Sequence, residues 1–431
     1  MSKEENRKNF SKYVSQNILG MIGFSCYVLA DSYFISIAKG ADGLTALNLV
    51  MPLYSIIFSI GEMIGVGSAI RYAISKIKKD ADADDYFWNA IIWCILSSML
   101  FVFAGIFFSA DIMRVLGADE HIVAVGNNYT KIFMCFAPMF MCNYVTNAFV
   151  RNDGAPGIAM SATLFSSLFN IVFDYILMFP MNLGMEGAAL ATALSPIIGM
   201  GICSIHFFSK KSSVRLVVCK PSVRKLVAGC QLGVSAFVGE MSSAVITLAF
   251  NFVILKLAGN VGVAAYGVVA NIAIVTTAVF NGVAQGSQPL ISSCFGRGDK
   301  DGCTQLKRMG YTTAFVLAAV MYSILFIFAG QFVAVFNSEG SEMLRLYATE
   351  GVKLYFIGIF FAGINIVGGG AFSATEDAFK AAVVSVARGF VLILGAVFVM
   401  SAFFGMTGVW LAYAVAEGIT TFIMLVMAMR V

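Results

Sequence analysis

The chain has 431 residues, 59% hydrophobic and only 12% charged, with a formal net charge of +4 and a mean hydropathy of +0.85. A soluble domain carries about 25% charge, so this composition excludes a water-soluble globule. Alternating ten-residue strand patterns are absent, which excludes an outer-membrane barrel. The basic residues are strung along the chain as topological signals, so they form no surface for nucleic acid.

Mostly apolar segments of 20 or more residues recur throughout, each long enough to cross about 30 Å of hydrocarbon. Twelve spans are predicted at 13–38, 43–70, 86–110, 122–150, 157–180, 186–209, 227–257, 261–290, 305–336, 345–374, 379–404 and 406–429. Met1 to Lys12 is polar and basic, and the segment after it is too long for a signal-peptide core. Polar breaks stand at Lys76–Asp85, Ser209–Lys225 and Gly296–Asp301. The remaining breaks are short, so neighbouring helices should pack antiparallel.

The first span carries Asp31 and the fifth carries Asn170 and Asp174. A charge at bilayer depth costs about 2.5 kcal/mol or more. Such residues are read first as parts of an ion or substrate path. Asn170 stands one turn before Asp174, so both project from one helix face. Other deep acids are Glu62, Glu240 and Glu417. Glu62 lies between Gly61 and Gly65, which permit close helix packing. Glu240 is a candidate for the central cavity. Glu417 reads as structural or half-solvated, near the cytoplasmic end of the last span. Among basic residues, Arg388 is the main candidate for a span centre. An acid-biased interior rich in Phe, Tyr and Met favours a cationic guest.

Lys and Arg set the orientation. Of the 28, 22 fall on one side, and six (Lys39, Arg114, Lys131, Lys256, Arg345 and Lys353) fall on the other. Both termini are therefore expected in the cytoplasm. The nine cysteines read as small buried hydrophobes, and His121 and His206 as surface or interfacial residues.

The chain also repeats itself. Gly184-Met185, Gly187 and Leu190-Ala191 recur as Gly405-Met406, Gly408 and Leu411-Ala412, 221 positions on. Gly40, Gly43, Ala46 and Gly67-Ser68 recur as Gly259, Gly262, Ala265 and Gly286-Ser287, 219 positions on. Ala148-Phe149 recurs as Ala371-Phe372. Six spans per half point both halves the same way, with a substrate path between them. The predicted fold is an all-α membrane protein of twelve transmembrane helices in two parallel six-helix pseudo-repeats around a central cleft. The halves are placed at residues 1–208 and 226–431, joined by a cytoplasmic linker at 209–225. Asp31 maps to about Phe250 and Asp174 to the region 395–397, so the glycine scaffold is duplicated and the acidic cluster is not.

Enzyme motifs are missing. There is no G-x-x-x-x-G-K-[ST] and no H-E-x-x-H. No cofactor is expected, and transport without an ATP module must use an ion gradient or run downhill.

Four stretches resemble the multidrug and toxic compound extrusion family, in its branch of bacterial DNA-damage-inducible and staphylococcal exporters. They are Asp31-Ser32-Tyr33-Phe34-Ile35-Ser36, Arg151-Asn152-Asp153-Gly154-Ala155-Pro156, Asn170-Ile171-Val172-Phe173-Asp174 and Ala284-Gln285-Gly286-Ser287-Gln288-Pro289. The resemblance implies a monomer in the cytoplasmic membrane. It would export cationic or amphiphilic compounds through the bilayer in exchange for sodium ions or protons. The family's first-lobe cation site carries over onto Asp31, Asn147, Asn170, Asp174 and Thr192. Asp31, Asn170, Asp174 and Thr192 offer a set that can coordinate sodium. Substrate contacts are expected at Tyr33, Glu240, Gln285 and Gln288. The family's early first-helix proline is missing from Val14-Ser15-Gln16-Asn17, and Phe361–Asn365 lacks the tenth-helix acid of some relatives. The rival reading is a lipid-linked oligosaccharide flippase of the same superfamily, which would line its cavity with Arg or Lys.

Overall fold

A chain crossing hydrocarbon must pair every backbone N–H and C=O within itself. The computed structural model meets this with helices alone among its described residues, which are 3–215, 217–336 and 341–429. Ser2 and Arg430, at the two ends expected to be cytoplasmic, lie outside them.

Helical bonding runs from Lys3 to Lys78 and again from Val223 to Gly296, the latter over 74 residues. A straight helix of that length would measure about 110 Å, far more than a bilayer. Each run breaks at a glycine in the left-handed region, Gly40 (φ 57°, ψ −141°) and Gly259 (φ 61°, ψ −157°). A third such break occurs at Gly405 (φ 57°, ψ −136°). These are the glycines that the internal repeat pairs, and a side chain disfavours that conformation. The breaks yield α1 (Lys3–Gly40), α2 (Asp42–Lys78), α3 (Asp85–Val115), α4 (120–152), α5 (Pro156–Met178) and α6 (Gly184–Phe207). The second half holds α7 (223–258), α8 (260–296), α9 (Lys300–Ile327, with a short continuation Ala329–Phe336), α10 (Glu342–Ala374), α11 (378–404) and α12 (406–429). The bend of 46° within α4 falls where Pro138 withholds a backbone donor.

The twelve predicted spans are all present. The largest difference is α1, which starts at Lys3 rather than 13. Hydropathy reports where lipid begins, and the polar first turns continue the helix outside it.

Each half has its own apolar core. Ile57, Phe133 and Phe149 belong to the first, and Phe280, Phe356 and Trp410 to the second. The halves exchange their first helices at the seam: Phe10 and Val14 of α1 sit in the second core, and Leu232 of α7 sits in the first. Glycines make the exchange possible. A Cβ on Gly67 of α2 would lie 2.0 Å from Gly229 O, and one on Gly233 of α7 would lie 2.0 Å from Met63 O. The repeat partner of Gly67 is Gly286 of α8, whose Cβ would lie 2.8 Å from Val14 Cα of α1. Thus α2 receives α7 much as α8 receives α1.

Polar contacts between the halves cluster at the same Lys- and Arg-rich end. Arg71 donates to Ala228 O at 3.0 Å and pairs with Glu376. Lys225 pairs with Asp85, and Asn6 donates to Gln305 Oε1 at 3.2 Å. These contacts join the two halves at this end. Gly67→Ala and Gly233→Ala should each wedge the seam apart. In purified protein, a cysteine replacing the buried Ser68 is expected to react with a maleimide several-fold faster in either background. Unchanged reactivity would mean that the glycine contacts do not hold the seam.

Candidate functional site

The buried face of α5 carries Asn170 and Asp174, both fully buried, and α6 adds Thr192, which is 2% exposed. Asn170 is satisfied on both sides of its amide. Its nitrogen donates to Asp174 Oδ2 at 3.1 Å, and its oxygen accepts from Thr192 N at 3.3 Å and Thr192 Oγ1 at 3.1 Å. Asp31 of α1, 6% exposed, lies within electrostatic reach of Asp174. The outer oxygens of the pair, Asp31 Oδ1 and Asp174 Oδ1, are buried and have no hydrogen-bond partner. Among the described residues no Lys, Arg or His pairs with either carboxylate. The structure therefore brings together four of the five predicted cation-site residues. It leaves two buried acids open to a proton or a small hard cation. Among the described residues no cluster of three or more His, Cys, Asp or Glu is present, so the donors are not those of a transition-metal centre.

Tyrosines close this cluster. Tyr54 of α2 and Tyr129 of α4 are hydrogen-bonded through their hydroxyls, and Tyr54 stacks on Phe133 at 3.6 Å. Tyr27 of α1 lies within electrostatic reach of Asp31, Asp174 and Glu240 and lines the neighbouring cavity.

The second region is a cavity of about 110 Å³ against the seam, whose lining includes Tyr27, Glu62, Asn147, Arg151, Glu240 and Gln285. Arg151 is 4% exposed. Its Nη1 donates to Gln285 Oε1 at 2.6 Å and to Asn17 Oδ1 at 3.4 Å. Gln285 Nε2 in turn donates to Glu62 Oε1 at 3.1 Å. A polar chain thus runs from α4 through α8 back to α2 and joins the two halves. Glu240 and Glu62 interact electrostatically in this cavity. Two carboxylates face one guanidinium, so the lining keeps the expected acidic bias.

Asn147, the fifth predicted cation-site residue, lines this cavity instead. It donates to Ala159 O at 3.1 Å and Thr163 Oγ1 at 3.2 Å. Of the predicted substrate residues, Glu240 and Gln285 line the cavity. Tyr33 does not; its side chain is 63% exposed. Gln288 is buried beside Gly370, with Oε1 unpartnered. Arg151 opens one of the stretches that carry the family resemblance, and the structure turns it inward onto Gln285. Its place in Arg151-Asn152-Asp153-Gly154 was the available signal.

Two further expectations change. Glu417 is neither half-solvated nor near a helix end. It lies mid-way along α12, 2% exposed, and is ion-paired with Arg388 of α11. His206 is buried at the end of α6, and its Nε2 contacts Asp153 Oδ2 at 2.8 Å. Asp153 also accepts from Ser213 N at 2.9 Å, which ties the segment after α6 to the turn between α4 and α5.

Two six-helix halves, joined at one end and holding unpaired acids in the membrane, define a multi-pass membrane transporter. A family model described as MatE matches residues 17–176 and 236–399, one stretch in each half, and the chain belongs to that family. It is 27% identical over 414 residues to the multidrug export protein MepA of Staphylococcus aureus (strain MRSA252), covering 93% of this chain and 89% of the relative. The MepA of Staphylococcus saprophyticus is 26% identical over 410 residues at the same coverage. Among solved structures, an outward-facing multidrug resistance MATE transporter of the MOP superfamily superposes with a TM-score of 0.92 at 20% identity, over 99% of this chain and 96% of that one. A Pyrococcus furiosus transporter of that superfamily, described as having a binding pocket of reverse polarity, gives 0.91 at 20% identity over the same shares.

Asp174→Asn keeps the shape of the side chain and removes one of two neighbouring charges. In sodium-free alkaline buffer the variant is expected to unfold at a higher temperature than the wild type, by up to about 2.5 kcal/mol of recovered burial cost. A lower temperature would mean that the carboxylate already has a compensating partner.

Proposed function

We propose that this protein is a cation-coupled antiporter that exports cationic or amphiphilic small molecules by alternating access. The observation that carries this reading is the pair Asp31 and Asp174, buried in one half without a cationic partner. A sodium ion or proton binding there relieves the burial cost, and it does so unequally in two conformations whose solvent access differs. Unequal binding is what lets a ligand shift a conformational equilibrium. Asn170 and Thr192 supply neutral oxygens that suit sodium, and the carboxylates suit a proton. The two ions therefore compete for overlapping positions.

The substrate's positive charge is assigned to the cavity, near Glu240 and Glu62. Residues 1–208 and 226–431 are the units that rock, with 209–225 as a linker. The end where the polar contacts between the halves cluster faces the cytoplasm, as the Lys and Arg asymmetry of the sequence suggests, and the functional unit is a monomer. The names of the staphylococcal relatives support multidrug export. The acidic lining disfavours an anionic lipid headgroup.

Everted membrane vesicles test the reading. A fluorescent organic cation is expected to accumulate inside when a sodium or proton gradient is imposed from within the vesicle. Asp31→Asn and Asp174→Asn should each reduce uptake to background with normal protein levels. Glu240→Gln should impair organic cations more than neutral amphiphiles. Near-normal uptake by both aspartate variants would refute the coupling site.

A further inference from the structure

A constant offset of 222 residues superimposes one polar constellation of the two halves, although its residue types differ. Asn143, Ser166, Ser195 and Gly199 of the first half become Asn365, Arg388, Glu417 and Thr421 of the second. Their contacts correspond as well. In the first half, Ser166 Oγ donates from α5 to Ser195 O of α6 at 2.6 Å. In the second, Arg388 Nη2 donates from α11 to Glu417 Oε1 of α12 at 2.6 Å. A Cβ on Gly199 would lie 2.7 Å from Asn143 Oδ1, and Thr421 Oγ1 donates to Asn365 Oδ1 at 3.0 Å.

The two versions differ in what fills them. Asn143, Ser166 and Ser195 line the open cavity, and Asn143 Oδ1 is buried without a partner. The equivalent place in the second half is closed. Glu417 receives Arg388 Nε at 3.0 Å and Asn365 Nδ2 at 2.7 Å. The helix widens into a π turn at Ala387–Val391, where Arg388 sits, and such turns mark functional positions. The other titratable groups facing the pair are Tyr266 of α8, Tyr355 of α10 and Tyr413 of α12. Tyr355 and Tyr413 stack at 4.4 Å and roof the site.

We infer that the second half contains a monovalent-cation site in which the guanidinium of Arg388 takes the place of the ion. Glu417 supplies the charge and is steadied by Asn365 Nδ2, whose amide oxygen is held by Thr421, and Arg388 is a tethered, non-exchanging cation. The chain therefore couples to an exchangeable ion in one half only, and Arg388 sets that number. This last step rests on the reading of Asp31 and Asp174 as the exchanging site; the existence of the second site does not.

The test uses full-length protein with Trp88 and Trp93 replaced by Phe, so that the buried Trp410, 6.4 Å from Tyr266, reports on the second half. All variants carry Asp174→Asn to silence the first half. With Arg388 intact, or as Arg388→Lys, emission is expected to ignore sodium chloride against choline chloride and to ignore pH near neutrality. Arg388→Gln is expected to gain a saturable response to sodium or to protons, and Glu417→Gln added to it should abolish the gain. Should Arg388→Gln be unstable, sodium or millimolar guanidinium should restore its folding. A folded Arg388→Gln that answers to neither ion overturns the inference. So does one that neither sodium nor guanidinium rescues, since the pair is then purely structural. A sodium response with Arg388 intact would instead count against confining the exchanging site to the first half, leaving the two failures distinguishable.

Discussion

An uncompensated carboxylate in hydrocarbon is the constraint around which this molecule is organised. Removing one partner of a buried ion pair costs about 3–5 kcal/mol, because the other charge is left alone. At Glu417 that exposure is avoided by Arg388. At Asp31 and Asp174 no cation among the described residues answers, and two carboxylate oxygens remain buried without a partner. The same chain thus treats the same problem in two ways. One solution is permanent; under the proposed function the other is met by an ion from solution, which would convert a structural cost into a dependence on an ion gradient.

That dependence can do work only if the halves move, and the seam sets how they meet. Gly67 and Gly233 let α2 and α7 approach until backbone touches backbone, and Gly286 does the same for α8 and α1. Such contacts are close, and the glycines themselves offer no side-chain bonds to break. The polar chain Arg151–Gln285–Glu62 also crosses the seam. A guest that competes for Glu62 would loosen a link between the halves, so guest binding and seam opening share one set of hydrogen bonds.

Much of this was legible in the sequence, because lipid makes some residues expensive. Asp31, Asn170 and Asp174 stood out by charge and by four-residue spacing, and the structure groups them with Thr192. The glycine repeat was legible because its members occupy left-handed turns or backbone contacts, where no other residue serves. What stayed hidden depends on which way a long side chain points. Arg151 had the sequence context of a topological charge and turns inward. Arg388 and Glu417 sit in different spans, 29 residues apart, and nothing local announces their pairing. Asn147 has the spacing of a cation ligand, but its amide is held by Ala159 and Thr163. The polar half of the repeat stayed hidden because Ser166 and Ser195 share no chemistry with Arg388 and Glu417; their common offset gains meaning once their contacts are seen to correspond.

The most direct measurement is the number of sodium ions that one purified chain binds at equilibrium, counted with radioactive sodium across a range of pH. One exchanging site shared with protons predicts a single sodium ion per chain, displaced competitively as pH falls and absent in Asp174→Asn. Two ions per chain, or one that persists in Asp174→Asn and ignores pH, would contradict the account.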